Sequence, residues 1–123
     1  MPQFKFRIGL DIGADYPFID NGEFTDLNIT NTDIGGGVYE ITISWTTYTQ
    51  LIDSTGISFN GKSYSTNSSI NIIEFGGIPV DKLGSQFIGF AGTISATDSP
   101  QIIIASNMFS GCTSNPDVTH FDM

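Results

Sequence analysis

The sequence predicts an all-β protein, and three observations carry the prediction. Apolar and polar residues alternate in several short runs, the composition favours Ile, Thr, Phe and Gly over Leu, and turn signals recur roughly every ten residues. The clearest run is "VYEITISW", where Tyr39, Ile41, Ile43 and Trp45 fall on one parity and Glu40, Thr42 and Ser44 on the other. A period of two is the pleat of a strand with one dry face and one wet face. Leu10, Leu27 and Leu51 are the only leucines before residue 80, so ten Phe and four Tyr supply most of the bulk for a core. About seven or eight short strands without a helical stripe describe an antiparallel β-sandwich of jelly-roll or immunoglobulin-like type, with a barrel as the alternative.

Taken in order, "QFKFRIG" sets Phe4, Phe6 and Ile8 against Lys5 and Arg7, a first strand with both cations on its outer face. "EFTDLNIT" continues the pattern if a bulge between Phe24 and Leu27 restores the phase. The glycines at 35 to 37 then separate it from the long strand already described. In "GISFNGKSYS", Asn60-Gly61 predicts a two-residue type I′ hairpin, because both central positions of that turn need positive φ. "SINIIEF" is a further strand, closed by Gly76, Gly77 and Pro79. "SQFIGFAGTISAT" sets Ile88, Phe90, Gly92 and Ile94 on one parity. The other, with Phe87, Gly89, Ala91 and Thr93, is small enough to lie against neighbouring backbone. "PQIIIASNMF" reads as a strand covered on both faces, and a polar, turn-rich tail follows from about residue 107. A chain of 123 residues fits a single domain, 1–123, with a core of its own.

Four basic residues face thirteen acidic ones, a net charge of -9. A surface of that sign repels phosphate, which argues against nucleic acid and against anionic membranes as partners. Cys112 is the only cysteine, so neither an intramolecular disulfide nor a multi-cysteine metal site is available. "MPQFKFRIGL" lacks the apolar run of a signal peptide, and no stretch is apolar for long enough to cross a bilayer as a helix. Synthesis in a cytoplasm without export is the expectation.

Asp11, Asp15, Asp20, Glu23, Asp26 and Asp33 crowd one stretch. Hard cations want six to eight oxygens, which makes Asp11, Asp15 and Asp20 weak candidates for calcium. Their spacing does not match the helix-loop-helix calcium pattern, and a solvated acidic face is the simpler expectation. No spacing fixes a carboxylate pair for glycoside hydrolysis, and His120 has no nucleophile at a recognisable distance in sequence. Neither an enzyme nor a bound cofactor is therefore expected. Trp45 with Tyr16, Tyr39, Tyr48 and Tyr64 suggests an aromatic platform for sugars. Tyr39 and Trp45 share the core parity of their strand, whereas Tyr48 lies on the polar parity and is the ring expected to be exposed. "DIGGGV" precedes a strand, not the helix that a phosphate cradle requires.

"NMFSGCTS" and "GGIPVDKLG" resemble phrases of the leucine-rich surface repeats of bacterial and phage proteins, but each occurs once, and a solenoid needs several stacked copies. In type and composition the chain resembles the small, acidic, signal-less β proteins that coat tailed-phage particles as capsid decoration or head-fibre subunits. That resemblance implies a structural virion component that binds other virion proteins and forms homo-oligomers. For such a role Phe4, Phe6, Phe109 and Phe121 are candidates for the contact surface, with Lys5 and Arg7 pairing carboxylates of a partner. The alternative is a carbohydrate-binding module, calcium-assisted, using Tyr48 with Asp11, Asp15 or Asp20.

Overall fold

The computed structural model describes residues 2–19, 23–50, 56–80, 87, 89–103, 108, 109, 111, 112, 118, 119 and 121. Its strands are β1 (Gln3–Ile8), β2 (Phe18–Ile19), β3 (Asn28–Gly35), β4 (Val38–Ser44), β5 (Ile57–Ser58), β6 (Asn71–Glu74), β7 (Pro79–Val80), β8 (Thr93–Ile94) and β9 (Gln101–Ile102), and no α-helix stands among the described residues. Five of them form one sheet in the order β3-β4-β1-β6-β8, while β2 pairs with β5 and β7 with β9. Among the described residues the chain is all-β as its alternation predicts, and the sheets are not closed into a barrel.

β1 sits at the centre because both of its flanks find antiparallel partners. Phe6 lies opposite Ile41 on β4 and Ile72 on β6, so one face of all three strands is apolar. Phe4, Phe6, Ile8, Ile41, Ile43 and Ile72 have no exposed surface. Ile57, Phe59, Ile78, Val80 and Phe87 belong to the same buried cluster. The ring of Phe59 meets those of Phe4, Phe6 and Phe87 at 6.3, 5.2 and 5.5 Å. An antiparallel bridge between Gly56 and Val80 joins the β5 segment to β7. Glycine is needed at 56 because φ is 69° and a Cβ there would lie 2.1 Å from the Pro79 carbonyl oxygen.

Several local expectations are corrected. The pairing is mixed, since β6 and β8 run parallel, as do β7 and β9. The intervening segments are long enough for the crossovers that parallel strands need. Asn60-Gly61 does not form a type I′ hairpin. Gly61 has φ 85° but Asn60 is not among the positive-φ residues, and Lys62 N donates to Phe59 O at 3.1 Å, which is a type II turn. Positive φ at both central positions occurs instead at Gly36 and Gly37, in the hairpin that joins β3 to β4. The irregularity between Phe24 and Leu27 is a left-handed residue, Asp26 at φ 53°, before β3 begins; bulges lie at Asp33/Gly35 and Lys5/Phe6.

Among its described residues, "SQFIGFAGTISAT" is a strand only at β8, and residues 85, 86 and 88 lie outside the described residues. Phe90 N donates to Phe87 O at 3.1 Å, so two large rings are buried through a turn. Gly92, from the parity read as bulky, is the residue pressed on backbone, where a Cβ would lie 2.1 Å from Ile70 O. β9 is exposed at Gln101 and half-buried at Ile102 rather than covered on both faces, and residues 104–107 of that run lie outside the described residues.

Candidate functional site

The polar parity of the five-stranded sheet builds its outer face. On β1 this is Gln3, Lys5 and Arg7, which stand opposite Ser44, Thr42 and Glu40 of β4. On β3 it is Asn28, Thr30 and Thr32, facing the same three β4 residues from the other side. Glu40 collects both cations, Arg7 Nε at 3.0 Å and Lys5 Nζ at 3.8 Å. Gln3 Nε2 donates to Glu74 Oε1 at 2.9 Å, and Ser95 Oγ pairs with Asn71 Oδ1 at 2.8 Å. Lys5 and Arg7, read from sequence as cations awaiting a partner, thus have an internal carboxylate.

Phe4 and Phe6 are corrected more strongly. As the apolar parity of the central strand they lie in the core, with 0% exposure, and they offer nothing to a partner surface. Phe109 and Phe121 are half-buried. Phe109 stacks on Phe87 at 5.3 Å, and Phe121 meets Phe75 edge-on at 5.1 Å, so both rings pack on the core.

In the acidic stretch, Asp11 and Asp15 share one loop but have different partners. Asp11 Oδ1 accepts the Gly13 N–H at 2.8 Å, and Asp15 Oδ1 takes Lys62 Nζ at 2.7 Å. The hydroxyl of Tyr64 donates to the Asp15 carbonyl. Burial pushes the Tyr64 phenol well above its ordinary pKa, with the Asp15 carboxylate adding to the effect. Asp20 and His120 lie outside the described residues. No group of three or more potential metal ligands occurs among the described residues.

Tyr48 is not the exposed ring that its parity predicts. It is half-buried and packs on Phe24 with centroids 4.9 Å apart. β4 ends at Ser44, after which Trp45 N donates to Pro2 O at 3.3 Å and the chain bends to bridge Tyr48 with Phe24. The strand's parity therefore does not extend to residue 48.

Two features had no sequence signal. Asp98 accepts the backbone N–H groups of Phe75 and Gly76 at 2.9 and 2.8 Å, closing the turn after β6 from 22 to 23 residues away. Asn31 reaches Gly13 O at 3.0 Å from the inward parity of β3, where alternation calls for an apolar residue.

β3 itself is the most open element of the sheet. Among the described residues it pairs with β4 alone, and six of its eight residues are exposed, Ile34 by 44%. Asp26 precedes it, bonded to the Thr46 hydroxyl at 2.8 Å, and Asp33 lies near its end, bonded to Gly35 N at 2.9 Å.

Comparison with protein-family models, with curated proteins and with solved structures finds no match to this chain. Among the described residues, no helix is long and apolar enough to cross a membrane.

Proposed function

We propose that this chain is a structural component of a tailed-phage particle, an accessory protein that binds other capsid or fibre proteins and has no catalytic role. In this reading it is made in the host cytoplasm without export, and copies associate with one another on the particle. The fold is then a β-sandwich, with the β2–β5 and β7–β9 pairs covering the apolar face of the five-stranded sheet. The observation that carries the reading is the long exposed edge of β3, which among the described residues pairs on one side only, since such a strand can be completed by another chain. The net charge of -9 supports proteins, rather than nucleic acid or membrane, as partners.

The test is the mass of the purified chain by light scattering behind a sizing column, with and without calcium, together with a glycan array. A closed oligomer that ignores calcium and glycans is the expected result. A monomer at every concentration that binds glycans in a calcium-dependent way would replace this reading with a carbohydrate-binding module.

A further inference from the structure

Resting on that reading, we propose that the open edge of β3 docks an extended, cationic segment of a different protein, added alongside Asn28–Gly35 as one further strand. An edge strand points the N–H and C=O of every second residue away from its neighbour, which makes a ready template for pairing. Among the described residues, length singles out β3. At the other end of the sheet β8 has two residues, and the strands of both two-stranded pairs have two described residues each, against eight in β3. Proteins guard an exposed edge with Lys, Pro, charges or bulges, and in "NITNTDIG" the single charge, Asp33, and the bulge at Asp33/Gly35 lie at the C-terminal end, leaving residues 28–32 without either.

Charge decides the occupant. Lys5 and Arg7 are held by Glu40, and Lys62 by Asp15. Asp26, two residues before β3, and Asp33, near its C-terminal end, take part in none of these ion pairs among the described residues. A second copy would bring another nine net negative charges and its own Asp26 and Asp33 to the edge. A strand with Lys or Arg near its ends meets those carboxylates with opposite charge, which favours it both on approach and once docked. Both aspartates are already held, Asp26 by the Thr46 hydroxyl and Asp33 by the Gly35 N–H, so their charges stand at fixed places near the two ends of β3.

The test titrates the isotopically labelled full chain with a capped octapeptide of alternating Thr and Val carrying Lys at each end, and with its counterpart carrying Glu. Backbone amide shifts and hydrogen exchange are read at low salt and at about 0.5 M salt, where the Debye length is only a few ångströms. Shifts and protection centred on residues 28–35 with the Lys peptide are expected. The double variant D26N/D33N keeps an acceptor oxygen at each position and should weaken binding roughly fivefold at low salt, as two exposed ion pairs would. At high salt that difference should vanish. Equal binding of the two peptides, shifts centred elsewhere, or no shifts at all would overturn the proposal. So would β3 amides already protected by self-association in the free protein. If the chain forms its oligomer while β3 ignores the Lys peptide, this inference fails and the proposed function stands.

Discussion

Phe59 stands edge-on to Phe6, with ring centroids 5.2 Å apart and planes at 73°. Phe6 is at the middle of the central strand and Phe59 follows β5, so this contact fastens the sheet to the β5 side of the core. Phe59 also touches Phe4, Tyr64 and Phe87, which makes it, together with Phe87, a hub of the aromatic cluster. Phe59→Ala should therefore cost about 3 to 5 kcal/mol, the range for emptying a buried aromatic site. Urea unfolding followed by tryptophan fluorescence measures it. A midpoint that does not move would show that the cluster is not the core.

Alternation was informative where strands are long and one face is fully covered. Residues 3–8 and 38–44 are strands for that reason, and their apolar parity is the buried one. The same pattern could not tell a central strand from a terminal one, and so Phe4 and Phe6 read as a contact surface when they are core. It also mistook turns for strands around Phe87 and Phe90, because a turn can bury two rings without a ladder. Contacts across long separations left no trace in sequence. Lys62 reaches Asp15 over 47 residues and Arg7 reaches Glu40 over 33, which gives these side chains partners inside the chain that no local pattern announces. The β3 edge was legible only in part, since hydropathy marks a strand but not its place in the sheet.

Asp98 holds the β6 turn through two charge-assisted hydrogen bonds, to the N–H groups of Phe75 and Gly76. Asp98→Ala should lose about 2 to 3 kcal/mol, since bonds to a charged acceptor are individually strong and the two donors lose their shared partner. Asp98→Asn turns an N–H₂ toward one of those donors and should recover only part of the loss. Amide hydrogen exchange at residues 75 and 76 distinguishes this local loosening from global unfolding. Unchanged exchange in Asp98→Ala would refute the clamp.

Two glycines separate the steric from the conformational reason for having no side chain. Gly92 has ordinary φ, but Thr93 N bonds Ile70 O at 2.9 Å and fixes a close approach in which a Cβ would lie 2.1 Å from that oxygen. Gly36 has φ 65° and open space around it. Gly92→Ala should cost about 3 kcal/mol by overpacking, and Gly36→Ala about 1 kcal/mol through its left-handed backbone alone. Thermal unfolding of both variants gives the order. If Gly36→Ala proved the more damaging, the approach of Gly92 to Ile70 would be wrong.

Tyr64 joins the 11–16 loop to the turn that follows β5, and its phenol is buried with its hydroxyl donated to the Asp15 carbonyl. Its folded pKa is raised, by burial first and by the Asp15 carboxylate second. Above the unfolded phenol value of about 10, the unfolded chain therefore sheds a proton that the folded chain keeps, and rising pH favours unfolding. The contribution is fully present below about pH 10 and is lost as pH climbs toward the raised folded value. Tyr64→Phe should cost about 1 kcal/mol at neutral pH for the lost hydrogen bond. Its stability should also fall less steeply than the parent's in alkali, so the two unfolding curves converge as pH rises. Denaturant midpoints from about pH 8 to about pH 11 measure this, and with one fewer proton on the unfolded chain the gap between parent and variant should narrow by at most about 1.4 kcal/mol per pH step of one. Parallel curves across that range would mean that the phenol ionises as easily in the folded protein as in the unfolded chain, and Tyr64 would not be the pin between these loops.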